Sequence, residues 1–247
     1  MTDLHIQRPE QSNGFPKKQG EHVVCFGDIH GHLGAAEEAI ALAERIGVPA
    51  VFLGDYVDRG PDNLGVLQAM MRASKTHRDW IFLLGNHDLM LRHVIEGIRH
   101  PDGYDERTFS ETLPMIPVDL RSAIHAWLLD LPAYCRRGDC LFVHGGFTSV
   151  NLPVEALDCE ELVWTYGIPD DWKGETVVRG HALVDEPELL PLNININTRC
   201  GFGGYLTGLL LNTATRTPEW IWSIAENGEI LEEKPASDLR NSSRPQP

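Results

Sequence analysis

The chain has 247 residues, of which 42% are hydrophobic, and its 36 acidic and 21 basic residues give a formal net charge of −15. This composition allows a sizeable core, and the acidity argues against a polynucleotide partner because most of the surface would repel a phosphate backbone. No apolar stretch reaches membrane-spanning length, and residues 1–20 lack the apolar centre of a secretion signal, so we expect a cytoplasmic protein without a membrane partner.

The first half of the chain alternates short apolar runs with stretches of helical periodicity. Apolar runs that are closed by glycine predict buried strands at residues 22–26, 50–53 and 80–84. Apolar residues at helical spacing predict helices at residues 33–46, 64–73, 89–98 and 118–131. Right-handed crossovers between the strands make them parallel neighbours. Residues 100–117, rich in proline, glycine and charge, are expected to form a long surface excursion.

The second half of the chain is richer in strands. They are predicted at residues 140–143, 176–178, 193–196, 205–211 and 220–224, with little helix between the last three. A second sheet, mixed or antiparallel, is therefore expected. Leu192, Ile194 and Ile196 alternate with asparagines, which predicts a half-exposed strand.

The predicted elements form one domain. It spans residues 21–225, after a polar N-terminal leader at residues 1–20. Residues 226–247 are polar, contain three prolines and are expected to form a frayed tail.

Chemically active side chains follow the predicted strands. The strings GDIHG at residues 27–31, GDYVDRG at 54–60 and GNHD at 85–88 each come directly after an apolar run, and HGG at 144–146 and GH at 180–181 also end strands. Carboxyl ends of parallel strands share one sheet edge, where such sheets bind ligands. Each string alone is more often a turn, a cap or a structural histidine. Five in a fixed order predict a metal site, and oxygen with imidazole ligands suits a first-row divalent ion.

The five strings resemble the metallophosphoesterases and, within them, the phosphoprotein phosphatase family of serine/threonine phosphatases in its compact bacterial form. The resemblance covers about residues 23–211. It implies an α/β (α+β) fold, a four-layer sandwich in which two mixed β-sheets pack face to face and are flanked by helices. It also implies that two divalent metal ions are bound. Manganese is the ion that the resemblance favours, and the ligand set also allows iron or zinc.

The resemblance assigns a role to each candidate residue. The first metal would be held by Asp28, His30 and Asp55, and the second by Asp55 as a bridge together with Asn86, His144 and His181. A hydroxide shared by the two ions would attack phosphorus directly.

Three further residues complete the expected site. His87 would protonate the leaving oxygen, Asp58 would orient His87, and Arg59 would grip phosphate oxygens. Asp88 stands where eukaryotic relatives usually have glutamate, and it is expected to lie behind the ligands.

Several functions fit these residues. The preferred hypothesis is a monomeric phosphomonoesterase that acts on phosphoserine or phosphothreonine in proteins, with phosphotyrosine or small phosphate esters tolerated. The alternative is a bis(5'-nucleosyl)-tetraphosphatase of the symmetrical type. Such enzymes usually lack an acid at the position matching Asp58, so Asp58 favours the first hypothesis. The presence of both His87 and Asp58 argues against a catalytically idle interaction module. The acidic surface argues against a nuclease.

The chain departs from the family pattern at two positions that concern phosphate binding. Many bacterial relatives carry W-x-R where this chain has Trp164, Thr165 and Tyr166, so a second phosphate-binding arginine is missing. They also carry D-T-G where this chain has asparagine, threonine and Arg199. We hypothesise that Arg199 partly replaces the missing arginine.

Overall fold

The computed structural model describes residues 21–98 and 112–242, with no side-chain description for residues 240–242. In chain order the strands are β1 His22–Phe26, β2 Ala50–Phe52, β3 Ile81–Phe82, β4 Tyr134–Arg137, β5 Cys140–Val143, β6 Thr176–Arg179, β7 Glu188–Leu190, β8 Asn193–Asn195, β9 Leu206–Asn212, β10 Thr217–Ile224 and β11 Ile230–Pro235. The helices are α1 Leu33–Ile46, α2 Asn63–Thr76, α3 Asn86–Ile95, α4 Val118–Asp130, α5 Cys159–Trp164 and α6 Ala236–Ser242, and a 3₁₀ turn spans Val154–Ala156. Residues 112–115 are also helical.

The strands form two mixed sheets. The first sheet has the order β11-β10-β9-β1-β2-β3 and the second the order β4-β5-β6-β8-β7. Strands β1, β2 and β3 are parallel, as predicted, and β9 pairs antiparallel with β1. In the second sheet β5, β6 and β8 are parallel neighbours. The predicted sandwich of two mixed sheets is confirmed.

Each central strand is buried on both faces because it separates two hydrophobic layers. In β1, Val24 and Phe26 pack toward the layer that includes helices α1 and α2, whereas Val23 and Cys25 point between the two sheets. In β5, Phe142 points into the same layer between the sheets. Alternate side chains of each strand point to opposite faces of its sheet, so each sheet packs on the other sheet with one face and on a further layer with the other. The layers follow in the order helices, first sheet, second sheet and outer layer. This packing holds the carboxyl ends of β1, β2, β5 and β6 in place.

Two predictions about the second half of the chain are wrong. Strands β9 and β10 belong to the first sheet rather than the second, since β9 pairs with β1 and β10 with β9. Residues 230–242 are not a frayed tail, because β11 pairs with β10 and α6 buries Ala236 and Leu239. The polar sequence of β11 is that of an edge strand, whose side chains are mostly solvated.

The sequence analysis also missed β4, β7 and α5. The predicted leader, residues 1–20, and most of the predicted excursion, residues 100–117, lie outside the described residues. Within the described ranges, no helix combines the length and apolar character that a membrane crossing requires.

Candidate active site

All six predicted metal ligands come together where the strands of both sheets end. The loops approach so closely that a Cβ at either of two glycine positions would meet a carboxylate of the site. A Cβ at Gly85 would collide with the backbone and the carboxylate of Asp55, and a Cβ at Gly180 would collide with the carboxylate of Asp28. The glycines in the strings GNHD and GH are thus needed to bring the carboxylates and histidines together.

The backbone is strained at the same place. His30, Asp55, Asp58, Arg59 and His181 all have positive φ angles, between 48° and 72°. Such a conformation costs a residue other than glycine on the order of 1–3 kcal/mol and persists only where the surroundings enforce it. Every one of these five residues was predicted to belong to the site.

The side chains form two adjoining groups of ligand atoms. One group comprises His30, Asp55 and His87, and the other Asp55, His144 and His181, with the ligand atoms in each group within 4.8 Å of one another. Asp55 belongs to both groups, as expected for a carboxylate that bridges two ions. Asp28 is adjacent, since its Oδ2 lies 3.9 Å from His30 Nε2.

Three histidines are oriented alike by backbone groups. The Nδ1 atoms of His30 and His144 lie 3.0 Å and 2.8 Å from the carbonyl oxygens of Val57 and Leu53. His181 has a hydrogen bond with the Trp164 backbone. A carbonyl partner requires a proton on Nδ1 and leaves Nε2 as the atom that can bind a metal, which is typical of metal-ligating histidine.

The buried Nε2 atoms have polar surroundings that suit a cation. His181 Nε2 is buried and has no hydrogen-bond partner among the described residues. His144 Nε2 lies 3.0 Å from Asn86 Oδ1 and 3.4 Å from Asp55 Oδ1. With the proton on Nδ1, His144 Nε2 is a hydrogen-bond acceptor, and it faces the acceptor oxygens of Asn86 and Asp55. A proton or a cation must therefore lie between them. Divalent metal ions therefore fit the residues present.

The charges of the buried groups depend on one another. Burial raises the pKa of Asp28 to about 7, and the charge of Asp55 adds to this effect. Burial would also raise the pKa of Asp55, but His144, His87 and His30 together hold it well below its ordinary value. Burial opposes a charge on His144, yet the neighbouring Asp55 raises the pKa of His144 to about 9. Burial and the nearby His144 lower the pKa of His181 to about 3.

These protonation states predict that metal binding strengthens with pH. In the metal-depleted protein at pH 6, Asp28 and His144 carry protons, because their pKa values are raised to about 7 and about 9. A ligand must lose its proton to bind, so we expect the apparent affinity for Mn²⁺ to rise at least about tenfold from pH 6 to pH 8. Calorimetry in two buffers of different ionisation enthalpy would measure the proton release. An affinity that is flat over this range would contradict the prediction.

His87 and Asp58 form a hydrogen-bonded pair beside the first group. His87 Nδ1 lies 2.5 Å from Asp58 Oδ2, and both side chains are buried. The other carboxylate oxygen, Asp58 Oδ1, accepts a hydrogen bond from the hydroxyl of the buried Thr112. The sequence analysis missed Thr112, because no motif marks a threonine inside the long segment between α3 and α4.

Asp88 anchors the loops that carry the predicted ligands. Its carboxylate accepts hydrogen bonds from the backbone amides of Asp55 at 2.7 Å, Gly85 at 2.9 Å and Tyr56 at 3.0 Å. It therefore lies behind the ligands, as predicted. Burial, followed by the charge of Asp55, raises its pKa to about 7.

Asn197 is a second anchor, and the sequence analysis gave it no role. Its amide nitrogen donates to Asp28 Oδ2 at 2.6 Å and to the carbonyl oxygen of His181 at 3.0 Å. Asn195 and Asn197 are also buried, so the predicted half-exposed strand is wrong on its asparagine face. One feature of the sequence could have drawn attention to Asn197, since it stands where the family pattern described above has the aspartate of D-T-G.

A cavity of about 290 Å³ opens over the two groups. It is lined by Asp55, Arg59, Asn86, His87, Met90, Trp164, Tyr166, His181, Leu183 and Phe202. Among these described residues Arg59 is the only arginine or lysine. Its Nη1 lies 2.5 Å from His30 Nε2, and its guanidinium stacks 4.1 Å from the centre of the Phe202 ring. The Arg59 guanidinium thus faces the same His30 Nε2 lone pair that a metal bound here would use.

Arg199 does not take part in this cavity. Its guanidinium pairs with the exposed Asp185 at 2.7 Å, and it is absent from the lining. The hypothesis that Arg199 replaces the missing phosphate-binding arginine is therefore not supported.

We expect Arg199→Ala to leave KM for any phosphate ester within about twofold of the original value, because an exposed ion pair contributes little. A KM that rises tenfold in steady-state assays would contradict this expectation.

Comparisons with known proteins point to one group of hydrolases. A sequence model of the calcineurin-like phosphoesterase family matches residues 21–206. The asymmetrical bis(5'-nucleosyl)-tetraphosphatase PrpE of Bacillus velezensis is 28% identical over 218 residues, covering 73% of this chain and 85% of its own.

Two solved structures share the fold. One, described as a candidate diadenosine tetraphosphatase, has a TM-score of 0.61 at 23% identity and covers 90% of this chain and 96% of its own. The other, the cold-active protein-tyrosine phosphatase of a Shewanella species, has a TM-score of 0.57 at 18% identity and covers 94% and 91%.

Proposed function

This chain belongs to the calcineurin-like phosphoesterase family, and from that premise we propose that it hydrolyses dinucleoside polyphosphates such as diadenosine tetraphosphate. The relatives favour this substrate over the phosphoprotein that the sequence analysis preferred. The observation that carries the proposal is the cavity, in which the two ligand groups and the single cation of Arg59 are bordered by Trp164, Tyr166 and Phe202. The ligand groups and Arg59 suit a chain of phosphates, and the aromatic side chains at the border of the cavity suit nucleobases.

The proposed metal centre consists of Asp28, His30, Asp55, Asn86, His144 and His181, and we propose Mn²⁺ as the ion. Bound there, divalent ions would supply positive charge to phosphate oxygens and lower the pKa of a bound water. The chain itself supplies the anchoring: Asp88 holds the Asp55 backbone, and Asn197 joins Asp28 to the His181 loop.

Arg59 and His87 act on the substrate from the cavity wall. A guanidinium can donate to two oxygens of one phosphate group, and the Phe202 ring keeps the Arg59 plane in place. Hydrolysis forms a bond between phosphorus and a water oxygen and breaks the bond to the leaving oxygen. His87, with Nδ1 fixed by Asp58, has Nε2 available to give a proton to that oxygen.

A second candidate function, hydrolysis of phosphoserine or phosphothreonine in proteins, is favoured by the same pair of residues. The 2.5 Å contact between His87 and Asp58 is the arrangement that helps a poor leaving group such as a serine alkoxide. A nucleotide is a better leaving group and requires less help.

The two functions are separated by comparing kcat/KM for diadenosine tetraphosphate and for a phosphoserine peptide, with Mn²⁺ present. We expect the dinucleotide to be preferred at least about tenfold, a difference of about 1.4 kcal/mol in transition-state binding. Chromatography of the products distinguishes AMP with ATP from two ADP molecules. A preference for the peptide would overturn the proposal and support the second candidate.

A further inference from the structure

Tyr166 is an exposed aromatic residue at the border of the active-site cavity, and no step of the proposed hydrolysis assigns it an individual role. Its side chain is 73% exposed although it lines the cavity. The ring lies against the imidazole of His181, with centroids 4.3 Å apart and planes inclined by 38°. One face of the ring is therefore covered by a predicted metal ligand, and the remainder is open to solvent beside the cavity.

The backbone around Tyr166 is fixed. The Thr165 amide donates to the Glu161 carbonyl oxygen at 3.1 Å, and the Gly167 carbonyl oxygen accepts a hydrogen bond from the Phe147 amide at 2.9 Å. Both neighbours of Tyr166 are thus tied to other segments, and His181 supports the ring itself. A ring that is already in place loses little conformational entropy when a ligand packs on it.

The other exposed ring at the cavity is used differently. Phe202 is 45% exposed, but Arg59 lies over its face at 4.1 Å, and its edge contacts His30 with centroids 6.1 Å apart. The face of Phe202 thus serves Arg59, which grips phosphate in the proposed function. Phe202 thus has one face and its edge in contact with Arg59 and His30, whereas Tyr166 is more exposed, at 73%, and its ring rests on His181.

From this geometry we propose that Tyr166 is the platform on which a nucleobase of the substrate stacks. The inference rests on the proposed function and names the residue that recognises the base. The ring offers a ligand at the cavity border a flat, largely apolar surface rather than a charge. Base stacking on an aromatic side chain tolerates any base, so the site would select nucleotides without strong preference among them.

The test compares Tyr166→Ala and Tyr166→Phe with the unmodified enzyme. For diadenosine tetraphosphate, we expect Tyr166→Ala to raise KM about 5- to 150-fold, the range that loss of one base stack produces, and Tyr166→Phe to keep KM within about twofold. The inhibition constant of inorganic tripolyphosphate, which has no base, should change less than about twofold in both variants. Leu190→Ala is the control, since Leu190 is also exposed but lies in β7, away from the cavity lining.

The outcomes separate this inference from the proposed function. An unchanged KM in Tyr166→Ala would overturn the inference, as would an inhibition constant for tripolyphosphate that rises in parallel with KM. An equal loss in Tyr166→Phe would also overturn it, because the hydroxyl rather than the ring would then make the contact. Equilibrium binding of AMP is measured without turnover, and the difference in affinity between the unmodified enzyme and Tyr166→Ala reports on the base site. Substrate preference of the unmodified enzyme reports on the proposed function.

Discussion

Replacing Asp55 by asparagine should reduce kcat/KM for every phosphate ester by about 10³-fold or more, since the positive charge that bound metals supply is worth several kcal/mol. Asp55 belongs to both groups of ligand atoms, so its carboxylate is the one that would serve two ions in the proposed metal centre. Asparagine keeps the size and the oxygen that accepts from the His87 amide at 2.9 Å, but it has one ligand oxygen and no charge. We expect the metal content, measured by elemental analysis, to fall below two ions per chain.

The loss should arise from metal binding rather than from unfolding. Asp55 is a buried negative charge that repels Asp28 and Asp88, but His144, His87 and His30 hold its pKa well below the ordinary value, so attraction outweighs repulsion. We therefore expect Asp55→Asn to unfold cooperatively without metal at a somewhat lower Tm, and to be folded at the temperature of the activity assay. Asp185→Asn is a matched control at an exposed position and should retain full activity. Two ions per chain together with more than about a tenth of the original activity would contradict the bridging role.

The site was predictable because its signals are local. A strand that ends in glycine followed by Asp28 or Asp55 places a carboxylate at the sheet edge whatever the rest of the chain does. The parallel order of β1, β2 and β3 follows from the helices between them, and the structure has that order. Where each predicted ligand lies could therefore be anticipated from neighbouring residues.

The placement of β9 and β10 could not be predicted in the same way. The sequence of β9, LTGLLLN, is buried on both faces, and a strand of that kind can pair in either sheet. Its partner β1 lies more than 180 residues earlier in the chain, with Phe26 opposite Gly208. Pairing over such a separation is decided by the packing of the whole domain, and periodicity carries no information about it.

The prediction of a half-exposed strand at the asparagines failed for a different reason. Alternation of Ile194 and Ile196 with Asn195 and Asn197 reads as one apolar and one solvated face, because hydropathy does not distinguish a solvated amide from a buried one that has partners. In the structure the Asn195 side chain donates to the Ala182 carbonyl oxygen, and Asn197 donates to Asp28. The polar face of this stretch thus supports the segments that carry Asp28 and His181.

Replacing His87 by asparagine should lower kcat about 10²- to 10⁴-fold for a substrate with a poor leaving group, because the proton donor is lost. The effect should be much smaller for p-nitrophenyl phosphate, whose leaving group departs without a proton. Asp58→Asn should give a smaller loss of the same kind, since it removes the charged partner of His87 Nδ1. Thr112→Val should give a still smaller loss of kcat, because it removes only the hydrogen bond to the second oxygen of Asp58.

The dependence on the leaving group decides between two roles for His87. Its ligand atom falls in the same group as those of His30 and Asp55, so His87 is also placed where it could bind a metal. Loss of a proton donor makes the rate more sensitive to the leaving group and keeps two ions bound. Loss of a ligand lowers the rates of all substrates alike and lowers the metal content. Because Asp58 holds Nδ1 in a buried hydrogen bond, we expect the first pattern, and elemental analysis of His87→Asn beside a series of aryl phosphates would show which one holds.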